Sequence, residues 1–180
     1  MTAKECILQR RSVRRFLTKT IDRDTIRGIV ELARFAPSWK NSQIVRYTVI
    51  DDKELKDQLG QNCVRDFSFN TKTITRAAAL AVISYESGHS GRNDDGTLQS
   101  IDAEKWEMFD AGIAAQTFCL AARTYEVGTC IIGVMDEAKI HDLLGLPENQ
   151  KVACVIAMGY PEDWKEAPAR LSCADILSFR

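Results

Sequence analysis

The stretch AEKWEMFDAGIAAQTFCLAARTYEV, within residues 102–127, constrains the fold more than any other part of the chain. A helix built from it carries so much apolar surface that it has to lie centrally, with other elements covering it. It is expected to run from Asp102 to Val127 and to end at Gly128. Four β-rich runs can cover it: RYTVID (46–51), AALAVISY (78–85), TCIIGV (129–134) and VACVIAMGY (152–160).

Shorter helical signals separate these runs. Thr2-x-x-Glu5 forms a capping box, in which hydroxyl and carboxylate satisfy free backbone N–H groups, and opens a helix to about Arg11. Asp22 caps a second helix through Phe35, with Ile26, Ile29, Val30 and Ala33 as its apolar stripe and Pro37 marking its end. KELKDQLG reads as a short helix stopping at Gly60, and DEAKIHDLLG as a helix between the last two strands. With no repeat and no linker, the expectation is one α+β or α/β domain over residues 1–180, with helices on both faces of a mixed sheet.

Charge and motif content remove whole classes of function. With 24 Lys+Arg against 25 Asp+Glu, the chain has no global positive field to attract nucleic acid. The longest apolar run, Ala77 to Ile83, is far short of the roughly 20 residues that span a bilayer. MTAKECILQRR lacks the features of a secretory signal, so a cytoplasmic protein is expected. The six cysteines contain no C-x-x-C pair, which speaks against zinc, iron–sulfur and dithiol chemistry and leaves them as reduced core residues. His89 and His141 stand without H-E-x-x-H or G-x-S-x-G, and GHSG falls in a polar loop, 88–97. No G-x-G-x-x-G follows a strand, and Gly128-x4-Gly133 is followed by Val134 where a phosphate-binding loop needs Lys.

What remains is a local excess of positive charge. QRRSVRRF (9–16) carries four arginines, which read either as a solvated or carboxylate-paired face or as an anion site. Guanidinium groups grip phosphate with paired N–H donors, and Ser12 adds a hydroxyl. FAPSWKNSQ (35–43) is a loop that either caps a helix end or lines the polar edge of a flat aromatic ligand.

QRRSVRRF, ARFAPSWKNSQ, WEMFDAGIAAQTFCLAA, EVGTCIIGVMDEAKIHDLLGLPE, VIAMGYPE and the late Arg170, taken in order, resemble the nitroreductase family of FMN-dependent oxidoreductases. The resemblance implies a three-layer α/β/α sandwich with a mixed, mainly antiparallel central sheet, assembled as a domain-swapped homodimer. It implies FMN as cofactor, NADH or NADPH as hydride donor to flavin N5, and a small electrophile such as a nitroaromatic or quinone as acceptor. Storage or sensing of FMN without much turnover is the alternative. Carried over, Arg10, Arg11, Ser12 and Arg14 meet the FMN phosphate and pyrimidine edge, and Arg170 joins the phosphate site. Asn70 meets the polar edge of the ring, and the backbone of Ile132 and Gly133 passes N5. Pro37, Ser38, Trp39 and Asn41 reach the flavin from the other subunit. The chain departs from the family pattern at Trp39, where a small residue is usual, at Ile44-Val45, at Lys72 and at Pro168.

Overall fold

A computed structural model describes all of residues 1–180. Its sheet has four strands, β1 (Val45–Ile50), β2 (Ala79–Glu86), β3 (Gly128–Ile132) and β4 (Gln150–Gly159), ordered β1-β2-β4-β3 and antiparallel at every pairing. The expected mixed character is limited, in this chain, to one isolated parallel bridge between Ser12 and Thr129. Seven helices surround the sheet: α1 (Ala3–Gln9), α2 (Arg23–Ala33), α3 (Lys53–Asn62), α4 (Ser68–Arg76), α5 (Ala103–Thr124), α6 (Glu137–Leu144) and α7 (Cys173–Ile176).

Helix α5 is central, as its apolar content requires. It touches all four strands, α1 and α2, and Phe118 on it is fully buried and stacks on Tyr47 of β1 with ring centroids 5.6 Å apart. One continuous cluster of 33 buried apolar residues joins α2, α3, α4, α5, α6 and the sheet. No helix is long and apolar enough to cross a membrane.

Several boundaries differ from the sequence reading, each for a tertiary reason. Helix α1 stops at Gln9 because Arg10 turns extended (ψ 130°) and leads the chain to β3, where the Val13 N–H donates to the Thr129 carbonyl. Helix α2 ends at Ala33 rather than Phe35, with Arg34 and Phe35 in a closing turn. Gly60 does not end α3; it lies inside the helix against Ile74 of α4, where a Cβ would sit 2.9 Å from a methyl group. Helix α4 itself was not visible in the sequence, since SFNTKTITR has no capping residue and buries only Thr73 and Ile74. Gly128 belongs to β3, and Glu126, left-handed at φ 59°, makes the turn after α5. Asp136 and the left-handed Gly145 bound α6 as its sequence reads.

The end of the sheet carries the detail on which the arginine segment depends. Gly128 on β3 lies opposite Gly159 on β4. A Cβ on Gly128 would fall 2.7 Å from Val13, and one on Gly159 would fall 2.8 Å from Phe16. The paired glycines therefore leave a hollow that Val13 and Phe16, both buried, fill. Gly128→Ala is expected to cost about 1–3 kcal/mol by forcing Val13 out of place. Thermal unfolding should show a Tm lower by several degrees; an unchanged Tm would mean that Val13 relaxes freely.

Candidate active site

Residues 10–17 leave α1 and run across the ends of β3 and β4. Ser12 bridges Thr129, the Leu17 N–H donates to the Tyr160 carbonyl, and the Glu162 N–H donates to the Arg15 carbonyl. Val13 and Phe16 point into the core, so Ser12, Arg14 and Arg15 are turned outward.

None of the four arginines pairs with a carboxylate, although other Lys and Arg side chains form ten ion pairs elsewhere. The carboxylate-paired reading of QRRSVRRF therefore does not hold. Arg11 turns back and donates from Nη1 to the Leu8 and Arg10 carbonyls, at 2.7 and 2.8 Å, which caps the C-terminal end of α1. Its Nε is buried without a partner. Arg14 makes one long bond, 3.3 Å, to the Ser12 carbonyl, and Arg10 makes no side-chain hydrogen bond. Arg10, Arg14 and Arg15 are thus left without a carboxylate partner, and the charges of Arg10 and Arg14 lie beside β3. Their fields reach the thiols beneath: burial pushes Cys119 up to about 11 and raises Cys130, while the charges of Arg10 and Arg14, respectively, pull the other way.

Past the arginines, β3 opens to the surface. Ile131 and Val134 are about half exposed, and nothing lies within 4 Å of where a Gly133 Cβ would be. Asn70, on α4, donates its side-chain amide to the Val134 carbonyl at 3.1 Å and so stands at the same strand end. The structure therefore gathers Arg10, Ser12, Arg14, Asn70, Ile132 and Gly133 along one strand and its exit.

Pro37, Ser38, Trp39 and Asn41 are not part of that group. No hydrogen bond joins their loop to residues 10–14, 70 or 129–134. Their loop closes on itself, with the Gln43 N–H donating to Ser38 Oγ at 2.9 Å, and it docks on α5 and the 88–97 loop. The Trp39 N–H donates to both carboxylate oxygens of Asp110 at 3.1 Å, and Trp39 Nε1 donates to the Arg92 carbonyl at 3.3 Å. The Trp39 ring leans on Trp106, with centroids 4.7 Å apart. A cavity of about 240 Å³ lies beside it, lined by Pro37, Ser38, Gln43, Tyr47 and Asp110 among others. Arg170 also stands apart, exposed on the C-terminal tail and bonded only to the carbonyls of Pro168 and Ala169.

Unpaired cations, an amide and an open strand backbone suit a flat ligand with an anionic tail, and the site offers no nucleophile of its own. Cys6, Cys63, Cys119, Cys130 and Cys154 are buried with raised thiol pKa values, Cys154 up to about 12, which keeps them protonated and inert at neutral pH. No group of His, Cys, Asp and Glu side chains has the makings of a metal centre.

The α+β fold with unpaired cations at one strand end has counterparts among known proteins. Residues 7–160 match the model of the nitroreductase family, and the chain belongs to that family. It is 30% identical to the NADPH-flavin oxidoreductase of Vibrio harveyi, over 93% of this chain and 69% of that protein. The crystal structure of a nitroreductase family protein from Clostridium novyi superposes with a TM-score of 0.77 at 26% identity, covering 92% of this chain and 89% of the other. A structure from Desulfovibrio desulfuricans in complex with FMN shares the fold, with a TM-score of 0.81 at 24% identity over 98% and 95% of the two chains.

Sequence reasoning missed Asp110 and Ser90, which hold the Trp39 loop. The available signal was a charged residue set in the apolar run of α5, WEMFDAGIAA. The burial pattern also makes a chemical prediction. A maleimide reagent at pH 7 should label Cys173, the one exposed thiol, and label all six only in denaturant; rapid native labelling at β3 would contradict the packing.

Proposed function

We propose that the protein is an FMN-dependent oxidoreductase, a single domain over residues 1–180 that works as a homodimer. The observation that carries this reading is the pair of unpaired cations, Arg10 and Arg14, beside the open backbone at Gly133. The donor set fits FMN: a phosphate needs charged donors with no competing carboxylate, and an isoalloxazine ring needs a flat apolar edge with backbone N–H groups. Membership of the nitroreductase family supports it independently.

When bound, FMN would supply hydride transfer at N5 between NADH or NADPH and a small acceptor such as a nitroaromatic or quinone. This chain's residues supply place and charge. Arg10 would hold the phosphate with Ser12 beside it, and Arg170, apart from them in the single chain, would join them in the homodimer. Arg14 sets a fixed positive charge at the pyrimidine edge, where it favours the reduced, more negative ring. Asn70 meets the polar edge, and the backbone of Ile132 and Gly133 lies along the ring. Arg11, committed to capping α1, contributes its positive field more than its donors.

The homodimer reading has its support in what the single chain leaves uncovered. Ile7 and Leu8 on α1, Leu32 and Phe35 at the end of α2, and Phe109 on α5 are all exposed, as are Leu171, Ile176, Leu177 and Phe179 on the tail. In a domain-swapped dimer the tails cross to the other subunit, the sheet becomes mixed, and the loop carrying Pro37, Ser38, Trp39 and Asn41 completes the partner's site within a three-layer α/β/α sandwich. FMN storage without turnover would draw support from a Trp39 ring standing out over the ligand, and that ring is instead packed on Trp106.

Purified protein is expected to be yellow, or to become so with added FMN, and to oxidise NADH or NADPH when a quinone or nitroaromatic is supplied. A colourless protein that takes up no FMN overturns the reading. Arg10→Ala should weaken FMN binding by about tenfold or more, because a charged hydrogen bond is worth roughly 1.5–3 kcal/mol, whereas Arg15→Ala should leave it near wild type. Equal dissociation constants in fluorescence titrations would remove Arg10 from the phosphate site.

A further inference from the structure

We infer that Asp110 is a positioning residue for the cofactor site: from the N-terminal third of α5 it sets the shape of the 37–43 loop, which in the homodimer meets the partner subunit's flavin. The inference rests on the FMN reading above and assigns a part in it to a residue remote from the arginine segment.

The loop is strained. Lys40, Asn41 and Gln43 are all left-handed, at φ 44°, 58° and 50°, and none is glycine. Such residues are energetically costly and persist only where their surroundings over-determine them. The loop's internal bonds, Asn41 N–H to the Ser38 carbonyl at 3.0 Å and Ser42 N–H to the Trp39 carbonyl at 2.7 Å, close the turn without fixing it to the body of the protein. Asp110 provides that fixed point. Its carboxylate is only 2% exposed, and it forms no ion pair with any Lys, Arg or His.

A buried carboxylate without a cation is costly unless donors surround it. Here the Trp39 N–H bonds both oxygens, the Ser90 hydroxyl donates at 2.6 Å, and the Ser42 hydroxyl lies at 3.5 Å. Ser90 also bonds Ser42 at 2.9 Å, so the 37–43 loop and the 88–97 loop share one anchor. Glu107, one turn earlier and equally buried, accepts the Gly88 N–H at 2.6 Å and adds a second anchor at the start of that loop. Two carboxylates on one face of α5 thus lock both loops, and the Trp39 ring, seated on Trp106 and bonded to the Arg92 carbonyl, closes the outer side. Without Asp110 the left-handed turn can relax, and displacements of about 1 Å at Ser38 and Asn41 are enough to spoil contacts to a bound ring.

The test combines FMN titration with hydrogen exchange on the full-length apo-protein, in wild type, Asp110→Ala, Asp110→Asn and Ser90→Ala. Asp110→Ala should raise the FMN Kd about tenfold or more and speed amide exchange over residues 39–43, with exchange in β2 and β4 unchanged. Asp110→Asn keeps an oxygen for the Trp39 N–H and should recover most of the affinity. Ser90→Ala, which removes one donor and leaves the carboxylate, should raise Kd about threefold and carries the measurement if Asp110→Ala does not fold. Wild-type FMN affinity in Asp110→Ala, or in Ser90→Ala if that variant stands in, despite faster loop exchange would show that the carboxylate serves stability alone, with the FMN reading intact. Wild-type protein that binds no FMN sinks both together.

Discussion

Two glycines facing each other across β3 and β4 let the chain after α1 come down onto the sheet. Val13 and Phe16 occupy the space that the Gly128 and Gly159 side chains would take, and the backbone between them bonds to Thr129 and Tyr160. Burying two apolar side chains in this way fixes the direction of everything between them. Arg14 and Arg15 have no course but outward, and Arg10 is pulled out of helical geometry at the end of α1. The position of the positive charge is therefore a packing outcome: the apolar residues of the motif place the polar ones.

The second organising feature is α5, which does two unlike jobs. Its apolar faces meet the sheet through Phe118 and the helices α1 and α2, as a buried helix must. Near its N-terminal end the same helix turns Glu107 and Asp110 toward two surface loops, where Glu107 accepts a backbone N–H and Asp110 accepts backbone and hydroxyl donors, neither facing a cation. Buried charge held by dipoles alone tolerates little movement, because losing a donor exposes the full cost of desolvation. The loops bearing Ser38 and Trp39 inherit that rigidity from the helix.

Most strands and helices could be read from local pattern, because their signals are local: capping boxes at Thr2, caps at Asp22 and Asp136, runs of β-branched residues, a left-handed glycine after α6. Helix α4 escaped because its nine residues are mainly polar and carry no cap, so its existence depends on Ile74 meeting Gly60 of α3. Gly60 and Gly128 were read as helix stops for the same reason: a glycine that permits close approach looks, in sequence, like one that permits a left-handed turn. At the candidate site the arginine motif is legible as a local excess of charge, whereas Asn70 and the β3 backbone enter only through the family resemblance; the fold sets them along one strand and its exit. Asp110 and Ser90 were not legible as a pair, since their partnership is made across 20 residues by the path of a loop.

The sequence by itself determined the class of fold, the central place of α5 and the family, because each of these is written in composition, periodicity or ordered motifs. Tertiary structure alone decided that Arg11 caps a helix while Arg10 and Arg14 stay free, and that the Trp39 loop lies apart from the arginines in a single chain. It decided, too, that a buried carboxylate holds that loop's shape. The reason is physical: side-chain type fixes what a residue is able to bond, but which donors and carbonyls come within 3 Å of it is settled only when distant segments pack.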